Sequence, residues 1–407
     1  MTTVRRSAAA LAVSAVLGVA IASAAAPSAA ADTTPSPSAV LPAGLFGSGD
    51  PTYDGVWRQS LALLAQDTAG EKPAGQAVQW LTGQQCDNGG FTSYRADTKS
   101  PCAAKVPLDS NATAAAVQAL AATGGHDKAV EKSVTWLKSV QNPDGGWGYN
   151  PGGASDANST SIVIGALAAA GEKPGEVTAK GGKSPYDALL TFARPCGGKD
   201  GGAFVYQPGQ PGLVADSTAA AVVGAHGEGL VVKAPGTSDT AVPACGPAKT
   251  IEGAAGNGAA HLVTALAKTG HLEAPPMPGS DDPAAKPDFG TTADAVVALA
   301  AQGLGEQTKK PLAWLEKESA RWAKESGPAA YAQLIFAAHA GGADPRDFGG
   351  RNLVTSLNAL GPEPEKKAEK SSGSDDSDSG KWWFYGALFA ACVGVGVLFS
   401  GRRKSQR

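Results

Sequence analysis

Methionine (2 residues), histidine (5) and aromatics (6%) are scarce in this chain of 407 residues, and neither sign of charge dominates. So few histidines and methionines leave little material for a metal or redox site. A net charge of −3, from 34 basic and 37 acidic residues, lacks the basic excess that a nucleic-acid surface needs. No nucleophile elbow, H-E-x-x-H or P-loop is present, and the glycine-rich stretches read as turns because they follow helices rather than strands. Glycine (53) and proline (28) are the abundant special residues. Together they make about one residue in five, below the roughly 25–30% of low-complexity chains. With 43% hydrophobic residues, the body of the chain is expected to be globular.

Both ends bear on the compartment. Arg5 and Arg6 precede an apolar run over 8–25, and Ala29-Ala30-Ala31 follows, the pattern of a secretory signal peptide over 1–31. Residues 32–50 read as a flexible lead. Residues 382–400 are 19 positions without a charge, opened by Trp382, Trp383 and Tyr385 and followed by Arg402, Arg403, Lys404 and Arg407. That pattern predicts one transmembrane helix with a basic cytoplasmic tail, 401–407. The polar stretch 362–381 predicts a disordered stalk. The expected protein is therefore a single-pass protein of a cell membrane, with its main domain (51–361) outside. The alanine and glycine content suits a GC-rich bacterial genome.

Cysteine usage agrees with export. Cys392 lies in the apolar segment, which leaves Cys86, Cys102, Cys196 and Cys245 outside, an even number in an oxidising place. Three pairings are open, and proximity along the chain favours Cys86–Cys102 and Cys196–Cys245. No C-x-x-C pair offers a zinc site instead, and no metal ligands are expected.

The domain repeats itself. One segment type ends in an aromatic, a glutamine or cysteine, and a glycine turn. Trp80 runs to Gln85-Cys86-Asp87-Asn88-Gly89-Gly90-Phe91, and Trp136 to Gln141-Asn142-Pro143-Asp144-Gly145-Gly146-Trp147-Gly148. The second type opens with helix-capping residues and continues in alanine, as in Asp109-Ser110-Asn111-Ala112-Thr113 and Asp156-Ala157-Asn158-Ser159-Thr160, with Asp216-Ser217-Thr218 as a third. Small side chains allow such helices to pack closely on several sides. Glu131, Lys132 and Lys138 give the tryptophan-bearing type a solvated face. The pattern predicts an inner set of helices over 54–66, 110–123, 157–170, 217–229, 292–302 and 328–340. An outer set is predicted over 73–85, 127–140, 185–193, 255–269, 310–325 and 349–360. Twelve alternating helices make the expected fold all-α, an α6–α6 double-ring toroid, with an open helical solenoid as the alternative.

The Gln141–Gly148 turn resembles the glutamine–tryptophan repeat of the squalene cyclase and prenyltransferase superfamily, whose members share the α6–α6 toroid. Each enzyme branch implies a signature that is missing here: the D-x-D-D acid of the cyclases, the Asp/Cys/His zinc site of the prenyltransferases, and the Cys-Gly-Glu-Gln of the complement thioester domains. The chain is most similar to the cobalamin-carrier branch, which is also exported and disulfide-linked. That resemblance implies a corrinoid such as cobalamin as the ligand, held at the ring mouth by the starts of the inner helices. The matching residues are Asp109, Asn111, Thr113, Asp156, Asn158, Thr160, Asp216, Thr218 and Asp294. Tyr94 and Tyr149 would stand beside them, among turn aromatics that include Phe91, Trp147, Tyr206 and Phe289. Each of the polar residues reads equally well as a helix cap. The resulting expectation is an extracellular binding protein that captures a small ligand for a membrane uptake transporter, with no catalytic residue. A surface enzyme on a terpenoid or glycan substrate, or a protein-binding ring, is the alternative.

Overall fold

Helices rich in alanine and other small or apolar residues, with few charged side chains, are stable when buried on most sides, and six such helices form the centre of the structure. The computed structural model describes residues 42–366, apart from 104, 211, 237–239 and 276–283. The described residues from Ala43 onward lie in one compact unit. Thirteen α-helices occur among them. The inner helices are α1 (Gly55–Thr68), α3 (Ser110–Thr123), α5 (Ala157–Ala169), α7 (Val214–Ala225), α9 (Phe289–Ala301) and α12 (Pro328–Gly341). Each packs on the next, and α12 packs back on α1, so the ring is closed.

The outer helices are α2 (Gly75–Gly83), α4 (Asp127–Ser139), α6 (Pro185–Phe192), α8 (Ile251–Leu266), α10 (Gly305–Glu318), α11 (Ala320–Ser326) and α13 (Leu353–Asn358). The thirteenth helix arises because the outer helix expected over 310–325 is interrupted at the buried Ser319, which ends α10 and opens α11. A short antiparallel hairpin, β1 (Leu272–Ala274) with β2 (Lys286–Asp288), leads into α9.

Layers of side chains seal the two rings together. Between α3, α4 and α5, Val117, Trp136, Leu137, Trp147, Val163 and Leu167 are all at most 5% exposed. The turn before each inner helix explains the repeat. In the best-matched turn, Gln141 Nε2 donates to the Gly145 carbonyl at 2.8 Å, and Asp144 Oδ1 accepts from the Gly146 amide at 3.0 Å. Gly145 has φ = 92°, and a Cβ there would strike the Ser184 carbonyl, so glycine is required. Trp147 folds under its own turn, its indole donating to the Leu137 carbonyl at 2.8 Å.

Two expected boundaries move. Phe46 is fully buried, its amide donating to Gln59 Oε1 at 2.8 Å, so the ring begins inside the segment expected as a lead. Gly47 donates to the Leu360 carbonyl, and the Glu365 amide to that of Lys72, which closes the ring and carries it past 361 into the expected stalk. The expected signal peptide and the 382–400 helix lie outside the described residues. Among the described residues, no helix is long and apolar enough to cross a membrane.

Both expected disulfides are present. Cys86–Cys102 ties the end of α2 to the loop that follows, and Cys196–Cys245 ties the end of α6 to the α7–α8 connection. The first loop passes the start of α1, whose Val56 amide donates to the Ser93 carbonyl at 2.9 Å. It folds outward onto α2, where Tyr94 stacks on Trp80 (centroids 6.4 Å apart) and the Arg95 amide donates to Gln84 Oε1.

Candidate functional site

All six inner helices begin at the same end of the ring, its mouth, and a repeated threonine holds that end in register. Thr113 Oγ1 accepts the Phe91 amide at 2.9 Å, Thr160 the Trp147 amide at 3.1 Å, and Thr218 the Phe204 amide at 3.0 Å. Thr292 accepts the Leu272 amide in the same way. The three threonines expected to bind ligand are thus buried fasteners between turn and helix, all at 0% exposure.

Asp109 and Asp156 are helix caps. Each stands four residues before its threonine and accepts an amide of its own helix, Ala112 at 2.8 Å and Ser159 at 2.7 Å. Burial pushes both carboxyls above the usual carboxylate range. A tyrosine from the next turn covers each of them. The Tyr149 side chain stands beside Asp109, and its carbonyl accepts the Ser110 amide at 2.9 Å. Tyr206 stands beside Asp156 and accepts the Ala157 amide. Burial first, then the neighbouring carboxylate, drives both phenols up to about 12. The aromatics expected to wall the mouth are therefore committed elsewhere. Phe91 and Trp147 are core, Tyr94 lies on α2, and Tyr149 and Tyr206 are latches; Phe289 stacks between Trp314 (4.7 Å) and Trp322 (5.5 Å).

Two residues before each threonine, the side chain turns away from the outer ring and toward the lumen. This position holds Asn111, Asn158, Asp216 and Gly290 on α3, α5, α7 and α9. Asp216 was expected to open its helix as a cap. Because α7 starts at Val214, it lies instead within the first turn, and its partner belongs to the neighbouring helix: Asn158 Nδ2 donates to Asp216 Oδ2 at 2.6 Å. Asn158 is itself held by Ser217, whose hydroxyl donates to Asn158 Oδ1 at 2.9 Å. Asn111 Oδ1 is buried without a partner.

Asp294 is not a cap either. It sits one turn below Gly290, and Gln333 of α12 reaches across to donate to both its oxygens at 3.3 Å. The α9 cap is Asp288, bonded to the amide and hydroxyl of Thr291. Asp216 and Asp294, on adjacent inner helices, keep slight exposure but are ringed by protein. Burial, with Asp288 and Asp156 nearby, lifts Asp216 to about 6 against the pull of Asn158. Burial, with Asp216 and Asp288 nearby, lifts Asp294 to about 8. Among the described residues, no lysine or arginine is among the groups that move either carboxyl. These shifts favour the protonated form more strongly at Asp294 than at Asp216.

Sequence reasoning named Asp216 and Asp294 but missed Gln333 and Asp288. Gln333 carries a signal, being the single amide in the apolar helix Pro328–Gly341; Asp288 is the residue four before Thr292, as Asp156 is before Thr160.

Below these groups the lumen is filled. Leu61, Ala115, Val297 and Phe336, on its inward faces, are at most 6% exposed. The far end is crossed by the α7–α8 connection. Leu230 donates its amide to Gln118 Oε1 at 2.8 Å, Gly229 lies directly on Gly165 of α5, and Val232 is buried. Surface clefts of about 380 and 330 Å³ lie on the outer ring, one beside Lys138 and Glu172, the other between Lys72 and His126. Among the described residues no three His, Cys, Asp or Glu side chains are placed to share a metal ion.

Residues 57–209, from α1 to the turn before α7, match the prenyltransferase alpha-alpha toroid domain, of the squalene cyclase-like superfamily. Drimenyl diphosphate synthase of Streptantibioticus cattleyicolor is 31% identical over 161 residues, 38% of this chain and 28% of that protein. Squalene–hopene cyclase of Alicyclobacillus acidocaldarius is 26% identical over 134 residues, 30% of this chain and 21% of that protein. The chain thus matches 28% and 21% of the length of these curated relatives. A crystal structure of a protein from Actinoplanes aligns with a TM-score of 0.44 at 16% identity, covering 74% of this chain and 80% of that one. These matches lend no support to the cobalamin-carrier branch.

Proposed function

We propose that this domain takes a small, oxygen-bearing isoprenoid at the mouth of the ring and acts on it with Asp294 as proton donor and Asp216 as base. The observation that carries the reading is the Asp216–Asp294 pair: two carboxyls on adjacent inner helices, bonded to side-chain amides rather than to their own backbones, with separated proton affinities. A carboxyl raised to about 8 is a poor acid toward a carbon–carbon double bond but a good hydrogen-bond donor to a hydroxyl, carbonyl or epoxide oxygen. The charged groups that act on the pair among the described residues are carboxylates, which disfavour a diphosphate there and favour a ligand that is uncharged where it meets the carboxyls. The two terpenoid enzymes among the relatives supply the isoprenoid class, although they match only part of this chain.

A second reading, capture without turnover, is favoured by the filled lumen: a ligand lies across the mouth rather than inside the ring. On either reading the domain works outside the cell on its membrane tether, which the two disulfides in surface loops support.

The test is to titrate the full-length protein in detergent with prenyl alcohols, epoxidised and plain isoprenoid hydrocarbons, a prenyl diphosphate and cobalamin. Tryptophan fluorescence reports binding, and mass spectrometry reports products. Neutral oxygenated isoprenoids should bind at micromolar concentration, and Asp294→Asn should remove any turnover. Binding of cobalamin alone, or of no compound in the panel, overturns the isoprenoid reading.

A further inference from the structure

Two amides, each on a different helix from the carboxyl it serves, treat the two acids unequally. Asn158 Nδ2 meets one oxygen of Asp216 at 2.6 Å, while the Ser217 hydroxyl donates to Asn158 Oδ1 at 2.9 Å. In this arrangement the amide donates to Asp216, and a donor held at that distance favours the ionised form. Gln333 reaches Asp294 from α12 at 3.3 Å, divided between both oxygens, which is longer and weaker. We propose that Asn158 and Gln333 are positioning residues that decide which of the two acids of the mouth stays protonated, Asn158 favouring Asp216 as the base and the looser Gln333 leaving the proton on Asp294.

This assignment rests on the acid–base reading of the mouth and deepens it. The charged groups acting on the pair from the surrounding elements are Asp156, the cap of α5, and Asp288, the cap of α9. Asp288 acts on both carboxyls, whereas Asp156 acts on Asp216 alone. Asp156 opposes ionisation of Asp216, so repulsion alone would not place the charge there. The short bond from Asn158 reverses that bias.

Carbon-13 NMR of aspartate-labelled full-length protein, titrated without ligand, reads the two carboxyl midpoints directly. Asn158→Ala should raise the Asp216 midpoint to or past that of Asp294, and Asn158→Ser, which keeps a donor, should restore part of the original order. Gln333→Ala should move the Asp294 midpoint further up and leave Asp216 the more acidic of the two. If both alanine variants are folded and the order stays unchanged in Asn158→Ala, the assignment is overturned. If Asn158→Ala fails to fold, an Asp294 midpoint that does not move in Gln333→Ala overturns it. Because the readout needs no ligand, a reversed order alongside failure of every isoprenoid to bind would leave this assignment standing and remove only the functional reading.

Discussion

Thr160 Oγ1 accepts the backbone amide of Trp147 at 3.1 Å, thirteen residues back along the chain, and so pins an outer-ring turn to the first turns of α5. The bond recurs at Thr113, Thr218 and Thr292, which makes it the device that keeps successive repeats in register. Thr160→Val keeps the shape and removes the acceptor, leaving a buried amide unpaired. Urea denaturation should show a loss of about 1–3 kcal/mol. Ligand binding at the mouth should be unchanged, in contrast to the effect of Asp294→Asn.

Stability should fall as the pH rises. Asp294 has a proton affinity raised from 3.8 to about 8, and Asp216 to about 6, so between these limits the folded state binds more protons than the unfolded chain. The unfolding free energy then declines with increasing pH through that window. Calorimetry between about pH 5 and pH 9 should show a falling melting temperature, and Asp294→Asn should flatten the slope at its upper end. A melting temperature rising steadily across the same interval would refute the buried, protonated carboxyl.

Gly165 sits inside α5, where helix propensity alone would make Gly165→Ala stabilising by about 1 kcal/mol. The α7–α8 connection overrides that gain. A Cβ at this position would lie 2.6 Å from the Gly229 Cα and 3.1 Å from the Glu228 carbonyl, both backbone atoms that cannot rotate aside. Overpacking of this kind costs about 1–3 kcal/mol. The variant should be net destabilised, and limited proteolysis should cut the 228–236 segment sooner than in the parent.

The two disulfides should respond differently to mild reductant. Cys196 and Cys245 are exposed, whereas Cys86 is only 4% exposed. Mass mapping should find Cys196–Cys245 open first, and hydrogen exchange should then rise along the α7–α8 connection near Gly246, which Asn257 otherwise holds. The mouth should stay protected at that stage, because Cys86–Cys102, which holds the loop against the start of α1, is still closed.

Much of the architecture was legible because its signals are local. A capping aspartate ahead of an alanine run, or a glutamine ahead of paired glycines and an aromatic, acts over a few residues. The starts of α3, α4, α5, α6 and α12 accordingly fall where the sequence placed them. The extra helix was not legible, since the break at Ser319 depends on how α10 and α11 wrap the ring. Neither were the true starts of α7 and α9. Asp216 and Asp294 look like caps, yet both helices begin earlier, at Val214 and Phe289.

From its own residues alone the chain determined an alternation of inner and outer helices and the end at which polar groups gather, because both follow from short-range periodicity and capping, while ring closure and the choice among three disulfide pairings came from the structure. Tertiary structure alone decided what those polar groups do. Closing the ring turned Thr113, Thr160 and Thr218 onto neighbouring backbone and covered Asp109 and Asp156 with tyrosines. It also brought Asn158 to Asp216 and Gln333 to Asp294 across helix boundaries of 58 and 39 residues. Whether a carboxyl caps its own helix or pairs with an amide of a neighbouring one depends on which side chains surround it and exclude water, and only the closed ring sets those neighbours.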